Sequence, residues 1–182
     1  MNRIQEERLR KLAEHLNSDN LFQTKWDFSR LHEVIGECKD EFSIERQNNP
    51  CGTVGCALGE VPFLFKEDGM SYNELGEIIW KDCLYKNSTE LAVDFFGVPY
   101  VIAELLFVPW DDIPNYPEII ARRYNLNVSD CMTFSNIPKH IEDIAKRFGL
   151  DILNSKASKL DVAYNINALL DYYRRNNLIK EN

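Results

Sequence analysis

PCGTVGCALG, residues 50–59, is the stretch on which the fold turns. Two cysteines and three glycines stand within ten residues that carry no charge. The preceding Asn48-Asn49-Pro50 is turn chemistry, because a residue before proline is pushed away from the helical region. Beyond this turn a short helix is predicted over 52–58, with Gly59 as its terminator. On such a helix Gly52, Gly55, Cys56 and Gly59 recur at i, i+3, i+4 and i+7, forming one stripe of small side chains. A stripe of that kind lets a second helix approach closely. Each glycine costs a helix roughly 1 kcal/mol relative to alanine, so close packing is the expected compensation. Thr53 and the Cys51 backbone would then complete the helix start, and Cys56 would serve as a small apolar filler.

Chemical readings of the same residues compete with this one. Structural zinc favours paired ligands such as C-x2-C, whereas Cys51 and Cys56 are separated by four residues and His15, His32 and His140 lie far off. No metal is expected. A Cys51–Cys56 disulfide fits a helix poorly, since positions five apart differ by about 140° around its axis. Cys51 at the first turn would meet unpaired N–H groups that stabilise a thiolate and an oxyanion. That makes Cys51 the candidate nucleophile, with His32 or His140 as the base it would need. Cys51, Gly52, Thr53 and Cys56 are the candidate binding residues of the motif.

Working outward, helical signals recur. Leu9, Leu12, Ala13 and Leu16 recur at helical spacing among charges, predicting an N-terminal helix over 1–17. Residues 26–38, WDFSRLHEVIGEC, show no clean period and leave strand and short helix open. Ser71 with Glu74 is a capping-box pattern, predicting a helix with Leu75, Ile78 and Ile79 on its apolar face. Ser88 or Thr89 caps ELAVDFF, Gly97 ends that helix, and Pro99 suits the first turn of YVIAELLF. Pro138 opens KHIEDIAKRF and Gly149 closes it. The last helix, about 158–175, is read with Leu160, Ala163, Tyr164, Asn167, Leu170 and Tyr173 along one face. The expected fold is mainly α: a single compact multi-helix domain with at most one small hairpin or short strand pair. Its parts are the helix of 1–17, a motif-bearing helical core over 48–126 and C-terminal helices over 136–176.

Composition limits the function. The chain has 182 residues, 45% of them hydrophobic, enough for a sizeable core. A net charge of −8 argues against direct nucleic-acid binding, which needs clustered Lys and Arg; Arg122-Arg123 and Arg174-Arg175 are too sparse. No apolar run approaches the roughly 18–20 residues that span a bilayer, so no membrane is expected. The charged, helix-periodic start is not a signal peptide. Five scattered cysteines fit a reducing, cytoplasmic setting better than a disulfide scaffold. There is no G-x-G-x-x-G, P-loop or H-E-x-x-H, and no cofactor is expected. Asp94 belongs on the wet face of its helix. Asp111 and Asp112 read as solvated loop acids. Trp110, Tyr116 and Tyr124 either anchor their loop or stack on a planar ligand, and Trp110 and Tyr116 join the candidate binding residues.

CGTVGCALG after its Asn-Pro turn, then STELAVDFFG (88–97), AELLFVPW (103–110) and PEIIARR (117–123), resembles a group of small proteins from bacteriophage and bacterial genomes. The resemblance covers about residues 48–126. It implies a phage or mobile-element origin, a cytoplasmic life in a bacterial host and an accessory role, and it transfers no catalytic residue. The function expected is therefore non-enzymatic binding of a host protein or small ligand. The alternatives are a thiol-dependent hydrolase or transferase using Cys51, and an acidic nucleic-acid mimic, which would need its carboxylates arrayed on one face.

Overall fold

Helix α1 (Arg3–Asn17) starts at a capping box. The Asn2 side chain accepts the Gln5 N–H at 3.0 Å, and Gln5 Oε1 accepts the Asn2 N–H at 2.9 Å. The expected face, Leu9, Leu12, Ala13 and Leu16, is fully buried. The structure, a computed structural model, describes residues 1–22, 25–26, 33–34, 53–73, 77–85, 88–109, 139–154 and 156–181. Among these it is mainly helical. Helix α1 packs chiefly against the last helix, which comes far later in the chain.

The motif departs from expectation. Thr53–Gly55 is not helical; it is strand β3, the centre of a three-stranded sheet. It pairs in parallel with β1 (Lys25–Trp26), Lys25 opposite Val54, and antiparallel with β2 (Glu33–Val34), Val34 opposite Thr53. Thr and Val favour extended backbone, and partners on both sides satisfy their ladder groups. Cys56, with φ −97° and ψ −173°, is the N-cap of helix α2 (Ala57–Leu64). Gly59 therefore sits inside α2 rather than ending it. The small-residue stripe does not exist as one helical face, because Gly55 and Gly59 belong to different elements; Gly52 lies outside the described residues. Pro62, lacking an N–H, cannot bond back to the Leu58 carbonyl, and α2 ends soon after.

The second correction lies just beyond a 3₁₀ turn at Lys66–Asp68. Where a capping box predicted a helix, Ser71–Tyr72 is β4 and Ile78–Trp80 is β5, with Cys83–Tyr85 as β6 in an antiparallel meander. Ser71 faces Ile79, and Trp80 faces Cys83. Lys81 (φ 51°) and Asp82 (φ 62°) form the two-residue link, both left-handed, as a type I′ hairpin turn demands. With two three-stranded sheets, the strand content exceeds the single pair expected.

Helices α3 (Ser88–Phe96) and α4 (Tyr100–Phe107) stand where they were expected, separated by Gly97 at φ 64°. An added Cβ on Gly97 would meet the Gln5 side-chain amide at 2.2–2.3 Å, so this glycine also permits the contact with α1. Helix α5 (Lys139–Phe148) ends at left-handed Gly149, and α6 (Lys159–Arg175) starts from a Ser158–Asp161 capping box. The buried face of α6 is Val162, Ala163, Asn165, Ile166, Leu169, Leu170 and Tyr173. Leu160, Tyr164 and Asn167, read as sharing one face with Ala163, Leu170 and Tyr173, are exposed while those three are buried. Buried Asn165 accepts the Asp151 N–H at 2.8 Å and donates to the Asp151 carbonyl at 2.7 Å, fastening the α5–α6 connection.

The core is aromatic at one end. Phe65, Phe95, Phe96 and Trp80 meet mostly edge to face, with Phe95 and Phe96 centroids 5.0 Å apart. The Arg8 guanidinium caps this cluster, with Cζ 4.0 Å from the Phe95 centroid and 5.4 Å from that of Trp80. Asp94 is exposed, as expected, and accepts the Tyr85 hydroxyl at 3.0 Å.

Partial burial, and then the Asp94 hydrogen bond and charge, push the Tyr85 phenol up to about 12. Its folded pKa lies above its ordinary value of 10.0, so it contributes stability that is complete below pH 10 and disappears as pH rises through about 12. Denaturant midpoints measured from about pH 9 upward should fall across that window. The fall should flatten in Asp94→Asn; an unchanged profile in that variant would reject the assignment.

Candidate functional site

Of the residues expected to form a site, Cys51, Gly52, Trp110 and Tyr116 lie outside the described residues, as do His32, Asp111, Asp112 and Tyr124. Helix α5 includes His140 in its first turn. Thr53 belongs to β3 and Cys56 to the N-cap of α2. Cys56 is 4% exposed. Burial pushes its thiol up, only partly opposed by the backbone N–H groups of Gly59 and Leu58. A buried thiol with a raised pKa is poorly suited to nucleophilic attack. The side chain fills the core, while the Cys56 backbone, whose carbonyl accepts the Gly59 N–H, stands at the N-cap of α2.

Around Cys56 stands a buried polar cluster that the sequence did not single out. Glu60, wholly buried on α2, lies with Oε2 at 2.7 Å from His15 Nε2 of α1. The same oxygen accepts the Phe22 N–H at 2.8 Å, and the His15 ring stacks on Phe22 with centroids 4.8 Å apart. Tyr72 of β4 donates to the Gly59 carbonyl at 2.9 Å; burial pushes its phenol well up, with Cys56 and Glu60 adding to the shift. The cluster fastens α1, α2, β4 and the segment after α1 to one another. Its groups spend their hydrogen bonds on each other and on nearby backbone; chemically this is a clasp. Among the described residues, no three or more His, Cys, Asp or Glu side chains gather as a metal ion would need.

A solvent-open site lies elsewhere. A groove of about 480 Å³ runs between α1, the end of α6 and the segment after it. Left-handed Asn177 (φ 53°) turns the chain out of α6, and Lys180 then runs parallel to Asn2, donating its N–H to the Met1 carbonyl at 3.0 Å. Arg3, Glu6, Glu7 and Arg10 face the groove from α1, at the i, i+3, i+4 and i+7 positions of one helical stripe. Tyr173 and Arg174 face it from α6.

Glu6 organises the charges. It is nine-tenths buried, and its Oε1 accepts from Arg174 Nε at 2.8 Å and Nη2 at 2.7 Å and from Arg10 Nη2 at 3.1 Å. Burial pushes the Glu6 carboxyl up, but Arg174 and Arg10 together outweigh that and hold it below its ordinary value. Arg174 Nη1 lies 3.9 Å from Asp171, and Arg3 pairs with Glu181 at 2.5 Å. In the sequence these residues draw no notice because Arg174-Arg175 looks isolated. The available signal was the alternating charge stripe on α1, but its partner on α6 is 168 residues from Glu6.

Comparison with protein-family models, curated proteins and solved structures finds no match. No helix among the described residues is long and apolar enough to cross a membrane.

Proposed function

We propose that the chain is a non-enzymatic accessory protein of phage or mobile-element type, acting by binding a host protein or a small ligand. The observation that carries this reading is the charged groove between α1 and α6. It combines solvent access with side chains already held in place by a buried carboxylate, and holding groups in place beforehand lowers the cost of binding. Within the motif, Cys56 is closed off and serves the fold, which weighs against chemistry at that thiol. The thiol alternative rests on Cys51 alone.

The test is cross-linking capture from a bacterial lysate with the full chain, alongside analysis of small molecules released on denaturation. Wild type and Cys51→Ser should retain the same partner or ligand. Arg10→Glu, on the groove wall, should weaken capture at least about tenfold, the equivalent of roughly 1.4 kcal/mol. Capture unaffected by Arg10→Glu, or a partner lost only in Cys51→Ser, would overturn the reading.

A further inference from the structure

We propose that the groove holds an oxyanion, a phosphate or carboxylate group, between Arg10 and Arg174. The inference rests on the binding function above and names the chemistry it uses. Two guanidinium groups converge on one carboxylate oxygen of Glu6. The groove lining balances in charge, with Arg3, Arg10 and Arg174 against Glu6, Glu7 and Glu181, so what the pair offers an anion is a surplus of N–H donors over the one carboxylate oxygen they share. Among the described residues Arg10 donates only to Glu6, through Nη2, which leaves most of its N–H donors without a protein acceptor there; its Nε is buried and is not among those an anion would reach. An anion bridging the two guanidinium groups would complete an alternation of two cations and two anions.

Glu6 does more than occupy the arginines. It is nine-tenths buried and remains ionised, so it fixes both guanidinium groups before any ligand arrives. Arg10 and Arg174 are each roughly half-exposed at their side chains, so an incoming oxygen can reach them without opening the fold. Tyr173 and Ile179 supply apolar wall for whatever carries the anion. Against the anion stand Glu7, which faces the same groove, and Asp171 beside Arg174. Glu181 is taken by Arg3. These acids oppose any anion and oppose a polyanion such as a nucleic-acid backbone most, which leaves a single anionic group as the class that fits and agrees with the acidic charge of the chain as a whole.

The experiment titrates the ¹⁵N-labelled full chain with inorganic phosphate and, separately, with acetate, at constant ionic strength set by sodium chloride. Arginine Nε–Hε signals are followed by NMR. The expected result is saturable movement of the Arg10 and Arg174 signals, with the Arg147 signal on α5 unmoved as an internal control. Arg10→Gln should weaken the response at least about tenfold, and Arg174→Gln provides a second variant should the first fail to fold. Saturation by phosphate alone assigns a phosphate group; saturation by both ions assigns a general oxyanion site. Linear shifts shared with Arg147, or saturation unchanged in both variants, would overturn the proposal. A chain that still captures its partner through the groove yet shows no saturable shift loses the oxyanion and keeps the binding function.

Discussion

Replacing Gly97 by alanine should destabilise the protein by about 2–3 kcal/mol, as two costs combine. A non-glycine residue at φ 64° is in the left-handed region, at about 1–2 kcal/mol. The added Cβ would also lie 2.2–2.3 Å from the Gln5 amide. Gln5 is flexible, but its Oε1 takes the Asn2 N–H in the capping box of α1. Moving it away weakens a cap of the kind that contributes about 1 kcal/mol. For a chain of this size each kcal/mol lowers the melting temperature by about 2–4 °C, so a fall of about 5–10 °C is expected. In a Gln5→Ala background the steric part should vanish while the backbone part remains, so the two substitutions should be non-additive. A loss under about 0.5 kcal/mol, the size of an ordinary surface change, would show that the α3–α4 turn relaxes freely.

The largest effect is expected at Glu60. Glu60→Ala removes the acceptor that serves both the His15 ring and the Phe22 N–H, leaving two part-buried donors without it. Removing one partner of a buried pair typically costs about 3–5 kcal/mol, because the survivor keeps its desolvation penalty. Urea unfolding should show that loss with little change in slope. Replacing both members, His15→Leu with Glu60→Leu, should recover part of it, since apolar groups of similar volume bury without unmet hydrogen bonds. A double variant as unstable as Glu60→Ala would mean that the cluster is fixed by shape rather than by its polar bonds.

Legibility in the sequence divided along a physical line. Helices α1, α3, α4 and α5 were readable because their caps and apolar periods lie within their own segments: Leu9 to Leu16, Gly97, Pro99 and Gly149. The strands were not. Thr53–Gly55 becomes a strand through Lys25 and Glu33, distant partners that leave no local trace. The Ser71–Glu74 pattern resembled a helix start, whereas Ser71 and Tyr72 pair with Ile79 and Ile78; the next turn, Lys81-Asp82, lacks the Asn or Gly that announces a hairpin. In α6, Ala163, Leu170 and Tyr173 were placed correctly. The flanking choice between Tyr164 and Ile166 depends on how the helix is rotated against α1, and its own period does not decide that. The groove was invisible for the same reason, since each wall is an ordinary charged helix face until the other is beside it.

The pairing of α1 with α6 also bears on how the chain is made. Helix α1 leaves the ribosome long before its main packing partner, and Glu6 waits for Arg174 across 168 residues. At about 5–20 residues per second, roughly 10–30 s of synthesis separates them. Throughout that interval Leu9, Leu12 and Leu16 have no α6 to cover them. The core of such a nascent chain closes only once α6 has been made.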